Sequence, residues 1–308
     1  MLGERSKSDE PNLLINVALV PVKSMKMKLK KTFLISLIIL LNHSYITFGS
    51  TTQQRMDNDI EVGEPIVIQI SVALADNKNQ GIIPVPASIG NGQDARTNLY
   101  WGARYGVKTY MIKDASWQKI ATLRPHDKRI IERLVLKRLF IRSEHEVPVY
   151  LVADAWDGKY IREAIIQFLN YNAGRGVFNI QLKGKKILAG GNGHLIVYIG
   201  HNALMDYRGI KNLTVSNPVA ESNKKKNDAI VLACKSQQYF LSRLKKLGAY
   251  PLVLTTGLMA PEAYSLSAAI KQWISGGDDI QIKKAAAASY NRYQKTGRKA
   301  AERLFGVK

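Results

Sequence analysis

The sequence predicts an α/β domain built on a mostly parallel sheet. The first observation is a set of five apolar runs of strand length, because strands covered on both faces appear as unbroken hydrophobic stretches. The second is that amphipathic helical patterns lie between most of these runs, as in a series of βαβ units. The third is the 46% hydrophobic content of the 308 residues, which is ample for one sizeable core.

Each predicted strand is a short apolar segment of the sequence. The five segments are residues 66–75, 147–153, 195–200, 229–233 and 250–255. Strands joined by helical connections pair in parallel, so their carboxyl ends are expected at one edge of the sheet.

Helical periodicity predicts the connecting elements. Apolar residues recur at helical spacing in residues 130–141, 160–171, 239–247 and 262–274. Residues 280–305 are rich in Ala and Lys and predict one long C-terminal helix, with Gly306 as its stop signal. Glycine and proline recur over residues 77–98 and predict a long loop, and loops of this kind at strand ends are often functional.

The N-terminal residues have the pattern of an export signal. Residues 25–49 combine several lysines, an apolar run over residues 33–41 and small residues up to Gly49. The run is shorter than the roughly 20 residues that span a bilayer, so a signal peptide is predicted instead of a membrane anchor. Residues 1–24 are interpreted as an over-extended start, because translation from Met25 or Met27 would give a normal signal peptide. The protein is therefore expected to be exported, to the periplasm or outside the cell.

The mature chain is predicted to hold one domain. Residues 50–64 are expected to form a short flexible N-terminal segment, and residues 65–308 the α/β domain with its long C-terminal helix. No linker or internal repeat divides these residues, so one core accounts for them.

Two predicted strands end at side chains that are suited to nucleophilic catalysis. His201 follows the third apolar run, and Cys234, the only cysteine in the chain, follows the fourth. Ligands bind at the carboxyl ends of strands in open parallel sheets. Polar residues after Cys234 start a helix, and a thiol at a helix N-terminus carries more thiolate. The alternative is a packed thiol, since a free cysteine often behaves as a small hydrophobe.

His201 is the best candidate base among the histidines. His194 opens the same strand and is expected at the opposite edge of the sheet, whereas His201 ends it. A thiol beside an imidazole forms a cysteine nucleophile with its general base. The alternative is a structural histidine that is hydrogen-bonded or lies on the surface. The chemistry needs no cofactor, and no HExxH or CxxC metal-ligand spacing is present.

These two strand ends resemble the caspase and legumain superfamily of cysteine peptidases, which includes gingipains and separase. Its members have a hydrophobic strand ending in His-Gly and a following strand ending in Ala-Cys, and this chain has YIGH at His201 and LACKS around Cys234. The resemblance spans about residues 65–263. It implies a single-domain, three-layer caspase-like sandwich with the histidine at the end of strand 3 and the cysteine at the end of strand 4. It also implies a peptide or protein substrate.

The resemblance further assigns an oxyanion or site-shaping role to Gly200 and Asn202. Asn202 stands where the family usually has glycine, whose backbone amide helps to hold the oxyanion.

Three further residues are candidates for a substrate pocket. Thr255 and Thr256 end the fifth strand and would line a pocket, or else form a plain turn into the next helix. Asp154 ends the second strand and would bind a basic side chain or orient a group, or else belong to a loop and helix cap.

The charge of the chain suggests a rival function. The formal net charge is +21, which favours anionic neighbours. No nucleic-acid motif accompanies it, so no specific nucleic-acid partner is predicted. The rival is a non-catalytic α/β envelope module that binds an anionic polymer or a lipid surface. Three phrases, NQGIIPVPASIGNG, NLYWGARYGVKTY and LTTGLMAPEAY, also resemble exported bacterial proteins of unassigned function and imply no chemistry.

Overall fold

A computed structural model describes residues 51–142, 145–182, 184–206 and 226–307. The predicted signal peptide and the residues before it lie outside these ranges. The strands of the described chain are β1 Ile66–Ala73, β2 Gln118–Leu123, β3 Ile130–Arg142, β4 His145–Trp156, β5 Phe178–Leu182, β6 Lys185–Ala189, β7 Leu195–Ile199, β8 Asp228–Leu232 and β9 Tyr250–Val253.

Seven of these strands form one sheet in the order β2-β3-β4-β1-β7-β8-β9, while β5 and β6 form a separate hairpin. The neighbours from β4 to β9 pair in parallel, and β2 and β3 add an antiparallel edge. All five predicted strands, now β1, β4, β7, β8 and β9, are the parallel members. The predicted α/β class with a mostly parallel sheet is confirmed.

Seven helices accompany the sheet within the described ranges. They are α1 Thr51–Glu61, α2 Val107–Lys113, α3 Ile161–Asn172, α4 Ser236–Lys246, α5 Ala263–Ile274, α6 Asp279–Gln294 and α7 Arg298–Leu304. None of these helices is both long enough and apolar enough to cross a bilayer.

The helices cover both faces of the sheet. On one face, Ile68 and Ile70 of β1 pack in the same core as α5 and α6. On the other face, Ile196 and Tyr198 of β7 pack with α3 and α4. Every residue of β1 is buried, as expected for a strand with both faces covered. This arrangement is compatible with a three-layer α/β sandwich.

The prediction of a helix over residues 130–141 was wrong, because this segment is strand β3. It pairs with β4 along its whole length, and its central residues Leu134, Val135 and Leu136 are buried on alternating faces. Its sequence suits both the helical and the strand period, and pairing with β4 and β2 makes it a strand.

The predicted long C-terminal helix is divided into α6 and α7. Lys295 adopts a left-handed conformation with φ 55° and caps α6, and Gly297 follows with φ 85°. The chain therefore turns before α7 begins, and the second helix packs back toward the sheet through Ala301 and Phe305.

Residues 50–64 carry helix α1 where a short flexible segment was expected. Met56 is buried in the main core. The Arg55 guanidinium donates to the carbonyl oxygens of Asn192, Gly193 and Lys226, at 2.7, 3.1 and 2.8 Å. These contacts hold α1 against the amino ends of β7 and β8.

Candidate active site

The candidate site lies at the carboxyl edge of the sheet, beside the point where the strand order reverses. Counted along the chain, the five parallel strands stand in the spatial order 2-1-3-4-5, so the chain changes direction between β1 and β7. In doubly wound sheets, ligands bind in the crevice outside the carboxyl ends of the strands at this switch point. His201 follows β7 and Cys234 follows the adjacent β8. The prediction that these two strands are parallel neighbours is confirmed.

His201 and Cys234 stand at the same level of the sheet. The last paired residues are Ile199 and Leu232, and each candidate lies two positions further on. The side-chain amide of Asn202 donates to the carbonyl oxygen of Cys234 at 2.7 Å. This hydrogen bond ties the loop of the histidine to the turn of the cysteine.

Cys234 occupies a tight turn from strand to helix. Lys235 has φ 49°, a left-handed conformation that is costly for a residue with a side chain, and α4 begins at Ser236. Such backbone strain clusters at functional sites. The thiol is partly exposed, and its Sγ contacts the amide nitrogen of Met259 at 3.4 Å and the carbonyl oxygen at 3.5 Å. The turn therefore presents the sulfur at the edge of the sheet instead of enclosing it in the core.

His201 is held by groups on its own loop. Its ring Nε2 is hydrogen-bonded to the Asp206 carboxylate, and its backbone carbonyl accepts from the Tyr198 hydroxyl at 2.7 Å. Within the described chain, Nδ1 makes no hydrogen bond, and none joins the ring to the Cys234 sulfur. Catalytic hydrogen bonds are often long in unliganded enzymes and tighten with substrate.

The sequence prediction missed Asp206. It lies five positions after His201, and a turn in which the Met205 amide donates to the Asn202 carbonyl at 3.0 Å brings it back to the ring. The sequence shows a carboxylate five positions after His201, but only the turn between them shows that it reaches the ring. In this position it fixes the orientation of the imidazole.

Gly200 shapes the site through its backbone. Its φ is 148°, and a Cβ added there would lie 2.8 Å from the Ala73 carbonyl oxygen of β1, so a side chain is excluded. Its amide donates to the Leu232 carbonyl at 3.2 Å and is not available to an oxyanion. The amides of Asn202 and Cys234 make no hydrogen bond within the described residues.

Thr255 supports the cysteine turn instead of lining a pocket. Its side chain is buried, and its hydroxyl donates to the Ala233 carbonyl. Its amide donates to the Ser236 hydroxyl at 2.8 Å, and that hydroxyl lies 2.9 Å from the Val231 carbonyl. These bonds fix the end of β8 and the start of α4, which position the thiol between them.

Thr256 faces a different depression. Its hydroxyl donates to the Arg303 carbonyl at 2.9 Å. It lines a cleft of about 510 Å³ between α4, β9 and the C-terminal residues, together with Leu254, Lys283 and Phe305. Neither His201 nor Cys234 lines this cleft, so the assignment of Thr256 to the substrate pocket is corrected.

The assignment of Asp154 to the pocket is also corrected. Strand β4 continues to Trp156, so Asp154 lies inside the strand, and its side chain is fully buried. Its oxygens accept from Arg133 at 2.5 and 2.9 Å and from Gln69 at 3.2 Å. Burial raises the pKa of this carboxyl, and the guanidinium and the amide oppose that change. Asp154 is one half of a buried ion pair, and no substrate can reach it.

A polar cluster adjoins the thiol on the side of the loop that follows β9. Glu262 accepts from the Tyr264 hydroxyl at 2.9 Å and from the Gln294 amide at 3.1 Å. The Tyr290 hydroxyl accepts from the Ala260 amide at 3.2 Å. Burial raises the pKa of Tyr290, and the charges of Cys234 and Glu262 add to this. The sequence prediction did not include Glu262, because its place beside the thiol depends on the course of the loop.

Among the described residues, no group of three His, Cys, Asp or Glu side chains is placed to hold a metal ion. Comparisons with protein-family models, with curated proteins and with solved structures found no match to this chain.

Proposed function

We propose that the protein is an exported cysteine peptidase of the caspase-like kind, with Cys234 as nucleophile and His201 as general base and acid. The observation that carries this proposal is the hydrogen bond from Asn202 to the Cys234 carbonyl, which joins the loops after β7 and β8 beside the switch point of the sheet. A strained turn presents the thiol there, and a partly exposed imidazole stands on the neighbouring strand. The caspase-like arrangement of three layers, with the histidine after strand 3 and the cysteine after strand 4, belongs to this proposal.

The proposed reaction has two steps. His201 takes the thiol proton, Sγ bonds to the peptide carbonyl carbon, and the C–N bond breaks as His201 returns the proton to the leaving amine. Water then loses a proton to His201 and attacks the thioester, which releases the carboxylic acid and restores the thiol. The amides of Asn202 and Cys234 would hold the negative oxygen in both steps. These steps require no cofactor.

The lone cysteine makes a direct test possible. Alkylation of the full chain reports only on Cys234, and a catalytic thiol should react at pH 7 far faster than the same residue after unfolding in denaturant, where it behaves as an ordinary thiol. A peptide library should be cleaved by the wild type and not by Cys234→Ala. Slow alkylation together with an uncleaved library would overturn the peptidase.

Export is the second part of the proposal. The lysine-flanked apolar run before Gly49 motivates it. N-terminal sequencing of protein recovered outside the cytoplasm should begin near Ser50. Intact protein that begins at Met1 and is found only in the cytoplasm would contradict export and leave the chemistry untouched.

One observation favours the rival envelope-binding function. Lys283 and Arg303 stand at the 510 Å³ cleft, and Lys226 and Lys245 at an adjoining one, and none of the four pairs with a carboxylate within the described chain. Such a basic rim around an apolar floor suits an anionic lipid surface. Sedimentation with vesicles of anionic lipid should be lost in Lys283→Glu/Arg303→Glu, and equal binding by that variant would reject this function.

A further inference from the structure

The cleft that Thr256 lines has an apolar floor and lies apart from the proposed catalytic residues, neither of which lines it. Its volume of about 510 Å³ is within the range that encloses one small ligand. Apolar side chains from α4, from β9 and the residue after it, and from the segment after α7 form the floor: Leu241, Leu252, Leu254, Phe305 and Val307. A cavity with this lining favours a ligand with an apolar body.

Hydrogen bonds hold the walls of the cleft in place. The Thr256 amide donates to the Leu304 carbonyl at 2.9 Å, and its hydroxyl donates to the Arg303 carbonyl at 2.9 Å. These bonds join the segment after β9 to the end of α7. The floor residues Leu252 and Phe305 are buried in the main core. The cavity is therefore formed before a ligand arrives, as ligand cavities usually are.

The shape of the cleft favours an enclosed chain over a flat lipid surface. Its apolar side chains lie in a hollow, whereas segments that lie on membranes present a continuous apolar face to the lipid. Among the large hydrophobic residues that line it, only Ile280 is exposed, with 51% of the residue accessible. A further β-strand is also a poor occupant, because Pro251 of the edge strand β9 has no amide to donate.

Two cations stand at this cleft without a carboxylate partner. Lys283 of α6 and Arg303 of α7 both line it, and neither forms an ion pair in the part of the chain that the structure describes. Lys283 also lines the adjoining cleft of about 440 Å³, together with Lys226 and Lys245. Among the described residues that line either cleft, Asp279 is the only acid. The polar group of a ligand meets positive charge here, which favours an anion.

We propose that this cleft binds one molecule of a single-chain anionic amphiphile, a long-chain fatty acid. The carboxylate accepts from the Lys283 ammonium and the Arg303 guanidinium, and the acyl chain lies on the apolar floor. Apolar contact supplies most of the affinity, and the charge-assisted hydrogen bonds fix the direction of the chain. This binding is independent of the peptidase chemistry. It differs from the rival function because one molecule is taken from solution instead of the protein attaching to a lipid surface.

The test measures binding of dodecanoate to the full chain by equilibrium dialysis, below the concentration at which dodecanoate forms micelles. One molecule should bind per chain, at least about tenfold more tightly than dodecyltrimethylammonium, which has the same chain and a positive head group. Butanoate has the same head group and a short chain, and it should bind at least about tenfold more weakly because it buries less apolar surface.

A pair of double variants separates the site from the net charge of the protein. Lys283→Glu/Arg303→Glu should weaken dodecanoate binding at least about tenfold, because both donors to the carboxylate are lost. The matched control, Lys284→Glu/Lys299→Glu, makes the same change of charge on the same two helices at exposed positions that line neither cleft, and should bind like the wild type. Equal binding by the first variant, or equal weakening in both, would overturn the site.

A dodecanoate that carries a diazirine at the end of its chain locates the bound molecule. After photolysis, mass spectrometry should find the label on peptides that contain Leu241, Leu252 or Phe305. Labelling elsewhere, absence of dodecanoate binding, or equal affinity for the three soluble probes overturns the proposal. A chain that sediments with anionic vesicles but does not bind dodecanoate overturns it in favour of the lipid surface of the rival function.

Discussion

His194 and His201 lie at the two ends of strand β7, and they differ in burial and in the hydrogen bonds of their rings. His194 is 1% exposed, its Nδ1 accepts from the Val67 amide at 3.1 Å, and its Nε2 contacts the Asp59 carboxylate at 2.9 Å. Because Nδ1 accepts, the ring proton of the neutral form lies on Nε2 and is donated to Asp59. The side chain of His201 is 14% exposed, and only one of its ring nitrogens is hydrogen-bonded within the described chain.

The difference between the two histidines separates the structural role of His194 from the chemical role that we propose for His201. At the amino end of the sheet, His194 links β7 to β1 and to α1, and each ring nitrogen has a fixed partner. At the carboxyl end, the thiol and the imidazole stand on loops and turns beyond the last paired residues. A ring nitrogen without a hydrogen-bond partner is available for proton transfer. A ring nitrogen whose hydrogen bond holds two elements together is not available.

The largest expected effect comes from replacing each histidine in turn. His201→Ala should lower kcat by at least about 10³-fold and change the free energy of unfolding by less than about 1 kcal/mol, because the side chain contributes little packing. His194→Ala should lower the free energy of unfolding by about 3 kcal/mol, since it leaves the Val67 amide and Asp59 without their partner. Urea denaturation and peptide hydrolysis, measured on both variants, give the two values.

Cys234→Ala is the control for the carboxyl end. Alone, or combined with His201→Ala, it should lower kcat by about the same factor as His201→Ala, because nucleophile and base act as a unit. A His201→Ala variant that unfolds early while keeping its activity would show that the two ends of β7 serve the same structural purpose.

The second effect concerns the buried ion pair of Arg133 and Asp154. Arg133→Met leaves the Asp154 carboxylate buried without a cation, so the free energy of unfolding at pH 7 should fall by about 3–5 kcal/mol. Burial raises the pKa of Asp154 in the folded state, and removing Arg133 increases that shift. The folded variant then holds a proton that the unfolded chain has released. The stability deficit relative to wild type should therefore shrink as the pH falls from 7 to 4.

The double variant Arg133→Met/Asp154→Leu tests the same pair without a stranded charge. It should recover most of the lost stability, because two apolar side chains can replace a buried ion pair at little cost. Activity per folded molecule should match the wild type in both variants. A selective loss of activity would restore Asp154 to the candidate site.

A smaller effect is expected from Asp206. Asp206→Asn keeps the shape of the side chain but removes the negative charge that orients and stabilises the His201 ring, so kcat should fall about 10- to 100-fold. Its side chain is 39% exposed, which makes the effect smaller than that of a buried orienting aspartate. The measurement is kcat for peptide hydrolysis at pH 7 set beside the melting temperature, and only kcat should change.

Asp206→Glu provides the matched comparison. It retains the charge and should recover part of the rate that Asp206→Asn loses. A merely structural role of Asp206 would lower the melting temperature in both variants and leave kcat per folded molecule unchanged.

The parallel part of the sheet could be predicted from the sequence because its strands are buried on both faces. Burial of both faces produces unbroken apolar runs such as residues 195–200, and the direction of the chain then places His201 and Cys234 at one edge. Strand β3 could not be predicted in the same way. The spacing of its charged and apolar residues suits both the helical and the strand period. Only pairing with the neighbouring strands of the sheet makes this segment a strand.

The surroundings of the site depend on contacts that a local pattern does not contain. Asp154 was expected at a strand end, but pairing with β1 extends β4 to Trp156 and encloses the side chain. Thr255 and Thr256 are adjacent in sequence, yet one supports the cysteine turn and the other faces α7. Asp206 reaches His201 through a turn, and Glu262 reaches the neighbourhood of the thiol through a loop, so neither could be predicted from spacing alone.

The smallest expected effect comes from the hydroxyl group that supports the His201 loop. Tyr198 is fully buried, stacks on Phe240 with ring centres 6.0 Å apart, and donates to the His201 carbonyl at 2.7 Å. Burial raises its pKa well above the ordinary value, so the hydroxyl keeps its proton throughout the working pH range. Tyr198→Phe preserves the ring and removes only this donor, which should lower the free energy of unfolding by about 1 kcal/mol.

The same substitution should lower kcat a few-fold, because the His201 carbonyl loses the hydrogen bond that fixes the position of this residue after the end of β7. Tyr250→Phe is the matched control, because its hydroxyl donates to Asp279 at the start of α6. Tyr250 stands at the amino end of the edge strand β9, opposite the end at which His201 lies, so its loss should leave kcat unchanged. Urea denaturation and peptide hydrolysis on both variants provide the comparison. If Tyr198→Phe loses stability and keeps full activity, the hydrogen bond to the His201 carbonyl is structural, like the hydrogen bonds of His194. The difference in role between the two histidines would then be confined to the imidazole ring of His201.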